Sequence, residues 1–230
     1  MKKYFEKHET IITISLIIIY ILLNSYSLNK FGITSYKTTI INLILTSTII
    51  IFIIKNKLLS YYRLTSFPEP KKYLYFIPLI LLISVNLFTG FNINNTIYEI
   101  IFYMLSMICV GFLEEILFRG FLFKTLEKDN QKLAIIITST TFGVGHIINL
   151  LNGAELIPTL IQICYCISTG YLFAIIIVKS NSLWPCIITH SLVNALSIFS
   201  IENNISIYIS PIILTIIPLL YAIYLNKVKE

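Results

Sequence analysis

The sequence predicts an all-α protein, a polytopic transmembrane helical bundle of about eight spans. Only 12% of its 230 residues are charged and 57% are hydrophobic, whereas a soluble domain carries roughly 25% charged residues. The mean hydropathy is +0.84. Eight stretches are apolar over about 20 residues, the length that crosses a bilayer as a helix. Composition and pattern together exclude an ordinary soluble domain.

The eight predicted spans follow one another with short polar connections. They cover residues 10–28, 38–55, 73–91, 98–123, 133–151, 156–178, 183–200 and 206–225. The longest connection, KNKLLSYYRLTSFPEPKK, is broken by Pro68 and Pro70. The fourth span is longer than a bilayer requires, so we expect its end to bend or to emerge from the membrane.

Three segments follow from this reading of the chain. Residues 1–97 would hold three N-terminal helices, residues 98–200 a core of four helices, and residues 201–230 a C-terminal helix with a basic tail. The start of the chain is basic and then apolar, but no small-residue cleavage site follows it. We therefore interpret this start as the first transmembrane helix rather than as a cleavable signal peptide.

The distribution of lysine and arginine predicts the orientation of the helices, because basic residues concentrate on the cytoplasmic side of membrane proteins. If the N-terminus is cytoplasmic, all but two of the 17 basic residues fall on that side, the exceptions being Lys30 and Lys37. An even number of spans then makes the C-terminus cytoplasmic as well. The net charge of +6 is thus a topology signal that can contact anionic lipid. It does not indicate nucleic-acid binding.

The four cysteines are predicted to be packing or lipid-facing residues. All of them lie in apolar stretches, which does not favour a disulfide framework. They are Cys109, Cys164, Cys166 and Cys186.

Five ionisable residues lie well inside the predicted spans. A charged side chain there costs about 2.5–3.5 kcal/mol on insertion scales, so such residues usually pair or carry function. They are Glu114, Glu115, Arg119, His146 and His190. The third histidine of the chain, His8, lies in the N-terminal tail, so histidine is concentrated within the membrane.

In the segment EEILFR, helical spacing separates the two glutamates. Glu115 and Arg119 are four residues apart on one face and can pair within the helix. Glu114 is rotated by about 100° from Glu115 and needs a different partner. A purely structural ion pair between two helices would leave Glu114 unexplained.

The segment FGVGH places Phe142 and His146 on one helical face. Gly143 and Gly145 remove side-chain bulk beside the histidine, which allows a neighbouring backbone to approach. Considered alone, His146 could equally be a hydrogen-bonded packing residue.

The segment HSLVN places His190 and Asn194 on one face of the seventh span. The amide of Asn194 can donate to a carbonyl oxygen or an oxyanion. Interhelical hydrogen bonding is the alternative role.

At about 1.5 Å rise per residue, Glu114, His146 and His190 all fall between the inner edge and the middle of the membrane. Three helices can therefore bring these residues together.

A glutamate, two histidines and an asparagine suit hydrolysis of a peptide bond. A carboxylate and an imidazole can take a proton from water, and a second imidazole and an amide can stabilise an oxyanion. Glutamate and histidine can also hold a divalent metal with an open position for water. The sequence has no H-E-x-x-H motif, and no serine is linked to either histidine by spacing, so Ser139 and Ser191 are interpreted as bystanders.

The three segments, in this order, resemble the motifs of the CPBP family. This CAAX-protease and bacteriocin-processing family, also called Abi, consists of intramembrane proteases. Its pattern is two glutamates, three residues and an arginine; then phenylalanine, three residues and histidine; then histidine, three residues and asparagine. The chain matches this pattern in EEILFR, FGVGH and HSLVN. The resemblance implies an intramembrane endopeptidase that is open toward the cytoplasm, with Glu115 and Arg119 as a supporting pair.

The resemblance also implies roles for the four remaining residues. Glu114 and His146 would activate the attacking water, and His190 and Asn194 would stabilise the oxyanion. A divalent metal such as zinc, held by Glu114, His146 and His190, and a mechanism without a metal both remain open. Relatives include the type II CAAX prenyl proteases and bacterial proteins linked with bacteriocin maturation and self-immunity.

Two other classes of function remain. Intramembrane glutamate and histidine also mark ion paths in transporters and proton relays, although no internal repeat or pair of broken helices is evident. A non-catalytic immunity protein of the membrane is the other alternative. The expected partners are a peptide or membrane-protein substrate and the lipid bilayer. Isoleucine, lysine and asparagine are abundant, which indicates an AT-rich prokaryotic genome. We therefore expect a prokaryotic plasma-membrane protein whose substrate is a bacteriocin, leader peptide or membrane protein rather than a prenylated one.

Overall fold

The computed structural model describes residues 8–66, 77–88, 90–201 and 206–228, and within them it is a bundle of α-helices. The predicted fold class is confirmed. In the described residues, six helices are long and apolar enough to cross a membrane, and Ile77–Leu87 and Trp184–Phe199 are shorter apolar helices. Together they correspond to the eight predicted spans. Residues 73–76 of the predicted third span, and the predicted break at Pro68 and Pro70, lie outside the described residues.

The described residues form ten α-helices, which we number in chain order. They are α1 (Glu9–Phe31), α2 (Tyr36–Lys55), α3 (Ile77–Ser84), α4 (Ile97–Glu115), α5 (Phe123–Glu127), α6 (Gln131–Gly145), α7 (Ile148–Leu151), α8 (Leu156–Ser180), α9 (Trp184–Leu196) and α10 (Ser206–Lys227). Short 3₁₀ turns, Val85–Leu87 and Ser197–Phe199, extend α3 and α9.

The fourth span is a single long helix with a change of winding inside it. Thr96 and Glu99 form a capping box at its start, which satisfies the free amides of the first turn. The α-helical winding gives way to a π-helical segment over Ile116–Leu122, and α5 completes the helix. Every residue of this π segment is buried. The predicted extra length is therefore present as a continuation that ends at Glu127.

One end of the bundle, which we call the basic end, is held by contacts between distant parts of the chain. Arg63 pairs with Glu127 at 3.0 Å, and Lys128 pairs with Glu9. The backbone amide of Leu183 donates to the carbonyl of Arg63 at 3.1 Å. These contacts bring the start of α1, the connection after α2, the end of α5 and the start of α9 to one side.

The opposite end holds the other set of connections. Gly32, with a φ of 83°, forms the turn after α1. The Ser25 hydroxyl on α1 donates to Asn152 Oδ1 after α7 at 2.7 Å, and the Asn92 amide donates to the Phe199 carbonyl at 2.9 Å. Successive long helices therefore run in alternate directions between the two ends, as the predicted membrane topology requires.

Small residues let the central helices approach closely. A Cβ atom on Gly111 of α4 would lie 2.7 Å from the Cα of Ser191 on α9, and one on Gly143 of α6 would lie 2.8 Å from the carbonyl oxygen of Ile163 on α8. The prediction of a close approach is confirmed at Gly143. It is wrong at Gly145, where a Cβ atom would meet nothing within 4 Å. Gly145 borders a cavity, so its small size is not needed for helix packing.

Candidate active site

Glu114 lies in the last turn of α4, and both of its carboxylate oxygens have a partner. The hydroxyl of Tyr20, on α1, donates to Glu114 Oε1 at 2.8 Å. His190 Nε2, on α9, lies 3.5 Å from Glu114 Oε2. The Glu114 side chain is 14% exposed. The carboxylate is therefore fixed in direction while one side of it remains accessible.

Glu115 forms the second carboxylate contact of His190. Its Oε1 atom lies 3.2 Å from Arg119 Nη1, so the predicted pair within one helix is present. The same oxygen lies 2.7 Å from His190 Nδ1. Because a carboxylate only accepts, Nδ1 of His190 carries a proton. His190 thus joins both glutamates, a link that spacing along the sequence does not reveal.

Arg119 is buried next to Glu115, and neighbouring side chains determine the position of its guanidinium group. Its guanidinium carbon lies 4.1 Å from the ring centroid of Phe142, a cation–π distance. A Cβ atom on Gly170 of α8 would lie 2.6 Å from Arg119 Nη2. Phe142 and the glycine therefore define the space that the guanidinium occupies, which links the first and second motifs.

His146 follows the last residue of α6 and caps that helix. Its Nδ1 atom lies 3.1 Å from the carbonyl oxygen of Phe142. Since a carbonyl oxygen only accepts, Nδ1 carries a proton, and Nε2 of the neutral ring is an acceptor. Nε2 lies 3.7 Å from the thiol sulfur of Cys166 on α8.

Hydrogen bonds from other helices fix the part of α9 that carries His190 and Asn194. The Asn86 side chain donates to the Val193 carbonyl at 2.7 Å, and the hydroxyls of Tyr103 and Ser197 lie 2.6 Å apart. These contacts flank Asn194 on both sides in the sequence, so they hold the helix turn that presents its side chain.

Four of the predicted site residues line one cavity, and two do not. Glu114, His146, His190 and Asn194 share a cavity of about 380 Å³ with Tyr20 and Cys166, among others. Small-molecule and substrate sites typically occupy about 300–1,000 Å³. Glu115 and Arg119, each with a fully buried side chain, are not among the lining residues. The candidate bystanders Ser139 and Ser191 donate their hydroxyls to backbone carbonyls.

The candidate metal ligands are not arranged as a metal site. Across the described ranges, no group of three or more His, Cys, Asp or Glu side chains is placed to hold a metal ion. Both ring nitrogens of His190 face glutamates, and Glu114 is bound by Tyr20. The set Glu114, His146 and His190 does not fit the coordination of a metal in this arrangement, and we derive no step through one.

Tyr20 and Cys166 are contacts that sequence reasoning missed. Tyr20 is one apolar-looking residue in a helix of isoleucines and leucines, and Cys166 was interpreted as a packing residue. Each meets the site across a long separation in sequence, and no periodic pattern indicates such a contact. Of the four cysteines, Cys109 and Cys186 are buried and Cys164 is exposed, all of them free.

A comparison with protein-family models found a match to the part of the chain that contains the three motifs. Residues 95–196 match the family model described as type II CAAX prenyl endopeptidase, Rce1-like. The chain is similar to this family over a region that is shorter than half of its length. The resemblance predicted from the motifs is confirmed over this region, which contains all six predicted site residues. No curated protein matches the chain.

The Rce1-like match and the apolar helices together support an integral membrane protein of the CAAX-type intramembrane protease class. The Rce1-like region begins at residue 95, so α1 lies outside it. Tyr20 on α1 nonetheless contacts Glu114. The candidate site therefore includes a contact from a helix outside the matched region.

Proposed function

We propose that the protein hydrolyses a peptide bond within the membrane, using a water molecule activated by Glu114 and His146. The observation that carries this proposal is the shared cavity, where Glu114, His146, His190 and Asn194 come together from three helices. Among the described lining residues, these include the one carboxylate and both histidines.

In this proposal each residue has its own step. Glu114 presents a partly exposed carboxylate, and His146 presents the acceptor Nε2. Either base can take the proton of a water molecule as its oxygen attacks the substrate carbonyl. The new C–O bond makes a tetrahedral intermediate, and the C–N bond then breaks. The proton held by the base passes to the leaving nitrogen.

In the same proposal His190 and Asn194, which line the cavity, stabilise the oxyanion of that intermediate. When both nitrogens of His190 are protonated, Nδ1 donates a hydrogen bond to Glu115, and Nε2 can donate a hydrogen bond to the oxyanion. The Asn194 amide, one helical turn further along α9, supplies a second donor. Glu115 and Arg119 act as positioning residues, because their contacts reach the cavity through His190, Phe142 and Phe173.

The test is cleavage by the purified full-length protein in lipid nanodiscs. A peptide library with prenylated and unprenylated members should be cleaved, and Glu114→Gln and His146→Ala should each lower the rate by about 10²-fold or more. The matched controls are Glu155→Gln, at an exposed position, and His8→Ala, which lies outside the cavity. Both controls should cleave at the wild-type rate.

Two results would contradict the assignment. Wild-type cleavage by Glu114→Gln or His146→Ala would remove those residues from the chemistry. Cleavage that disappears with a chelator and returns only with zinc would show that the water is activated by a metal. Solute transport by a protein that cleaves no peptide would instead support the transporter class.

A further inference from the structure

The basic end of the bundle can be assigned to a side of the membrane. Of the described lysines and arginines outside the core, eight belong to the basic end and two to the opposite end. The eight are Lys55, Lys57, Arg63, Lys124, Lys128, Lys132, Lys179 and Lys227, and the two are Lys30 and Lys37. Because basic residues concentrate in cytoplasmic connections, the basic end faces the cytoplasm.

The cavity extends from the site toward the opposite end. On α4, which starts at the opposite end, the lining residues Tyr103 and Met107 precede Glu114. On α9, which starts at the basic end, the lining residues Asn194 and Ser197 follow His190. On both helices, these lining residues lie farther from the basic end than Glu114 and His190 do.

The cavity also reaches the surface at that end. Its lining includes Ile33, in the turn between α1 and α2, and Asn152, in the connection between α7 and α8. Ile33 is 42% exposed. The mouth of the cavity therefore lies at the end of the bundle that carries only Lys30 and Lys37 among the described basic residues.

Toward the basic end the cavity is closed by packed side chains. Phe118, Phe142 and Phe173 are the lining residues at its floor, and each is buried. Beneath them the π segment is buried along its whole length. Tyr62 and Leu183, nearer the basic end, are 2% and 1% exposed.

The wall near the mouth is polar but uncharged. Asn149 donates to the side-chain oxygen of Gln162 at 2.8 Å, and Asn152 accepts from Ser25. Asn24 Oδ1 is buried with no partner among the described residues. Glu114 is the only Asp, Glu, Lys or Arg among the described lining residues. Carboxamides both donate and accept, as peptide groups do, so this wall suits an uncharged stretch of polypeptide backbone.

We propose that the cavity admits its substrate from the extracytoplasmic side, and that the substrate is an uncharged stretch of polypeptide at that face of the membrane. The nature of the substrate rests on the proposed function, whereas the side of entry does not. This proposal replaces the cytoplasmic access that the family resemblance implies. An exported peptide, or the outer flank of a membrane-spanning segment, has the required location.

The side of entry is tested by thiol labelling of the full-length protein in cells. Gly145→Cys, which faces open space in the cavity, and Asn152→Cys, at its mouth, are compared with Lys132→Cys at the basic end. All three are made in a background in which Cys164 and Cys166 are serine. A membrane-impermeant thiol reagent should label the first two in intact cells and Lys132→Cys only in inverted vesicles. The reverse pattern would overturn the proposal.

Folding is monitored separately, by recovery of each variant in the membrane fraction and by a single peak on size-exclusion chromatography in detergent. If Gly145→Cys fails this check, Asn152→Cys alone still reports the side of the mouth. Its labelling in inverted vesicles but not in intact cells would contradict the proposal.

The substrate is tested with two single-span reporter proteins that carry the same serine- and asparagine-rich stretch next to the span. One reporter places this stretch on the extracytoplasmic side and the other on the cytoplasmic side. Cleavage should be confined to the extracytoplasmic reporter, and Gln162→Leu should raise KM several-fold with little change in kcat. Cleavage of the cytoplasmic reporter would overturn the inference. If neither reporter nor any library peptide were cleaved, the proposed function would fail, and the labelling would still decide the side of entry.

Discussion

Tyr20 is the residue with the most direct bearing on Glu114 outside the three motifs. It is 4% exposed, and its hydroxyl donates to the carboxylate that we assign as a base. This hydrogen bond, at 2.8 Å, fixes the direction of the Glu114 carboxylate. Tyr20 is therefore a positioning residue, because it acts through Glu114 and not on the substrate.

Tyr20→Phe should lower kcat about 10-fold, equivalent to ~1.4 kcal/mol, because the Glu114 carboxylate loses the donor that fixes its direction. The measurement is cleavage of the library peptides by the full-length protein in nanodiscs.

Tyr62→Phe is the matched control, since the Tyr62 hydroxyl is buried with no partner among the described residues. It should leave kcat unchanged. Equal losses of kcat in Tyr20→Phe and Tyr62→Phe would show that the Tyr20 hydroxyl only supports packing.

Arg119 is predicted to matter more for stability than any exposed basic residue. Arg119→Ala leaves Glu115 buried without its cation, and breaking a buried pair in this way costs about 3–5 kcal/mol. Arg119→Lys should restore only part of the loss, because an ammonium does not reproduce the planar contact with Phe142. The measurement is thermal unfolding in detergent by fluorescence.

The double variant Glu115→Gln with Arg119→Gln is the control, because it removes both charges together. It should unfold at a higher temperature than Arg119→Ala. Equal stability of the two variants would contradict the assigned ion pair.

At the scale of elements, the approach of α4 to α9 aligns Glu114 with His190. Gly111→Ala would place a Cβ atom 2.7 Å from the backbone of Ser191, and overpacking of this kind costs about 1–3 kcal/mol. The helices would separate, and the contact between Glu114 and His190 would lengthen. We expect lower thermal stability and lower kcat together.

Gly145→Ala provides the comparison for Gly111→Ala, because a Cβ atom at this position meets nothing within 4 Å. The free energy of unfolding of Gly145→Ala should stay within about 0.5 kcal/mol of the wild-type value. A larger loss at Gly145 than at Gly111 would mean that close packing between the helices does not decide the cost, because alanine is the better helix former at both positions.

Sequence reasoning succeeds where the interacting residues lie within one helix. Run lengths predicted the apolar helices, and four-residue spacing predicted the pair Glu115–Arg119. The π segment was not predicted, because its apolar residues read as an ordinary span and its winding depends on packing on all sides. The two shorter apolar helices, Ile77–Leu87 and Trp184–Phe199, lie within two of the predicted spans.

Contacts between helices were predicted only as a convergence in depth. The sequence brought Glu114, His146 and His190 to a similar level, but it gave no information on which atoms meet. The bridge from His190 to both glutamates, and the placement of Cys166 beside His146, follow from helix packing. The space that Gly170 leaves for Arg119 arises in the same way.

For the whole molecule, α1 is joined at the cavity mouth to the connection after α7. The contact between Ser25 and Asn152 measures 2.7 Å. We predict that Ser25→Cys with Asn152→Cys, oxidised to a disulfide, will block cleavage of the extracytoplasmic reporter, and that a reductant will restore it. The single cysteine variants should be insensitive to the oxidant. Full activity of the cross-linked protein would place the substrate route elsewhere.

The packed floor beneath the cavity has a kinetic consequence. Because the cavity is closed at its inner end, water, substrate and both cleavage products share one opening. Each product must leave before the next polypeptide can enter, so a peptide that matches a product should compete with substrate for the free enzyme. Product release would then limit the turnover rate, and fragments that dissociate slowly would inhibit the reaction.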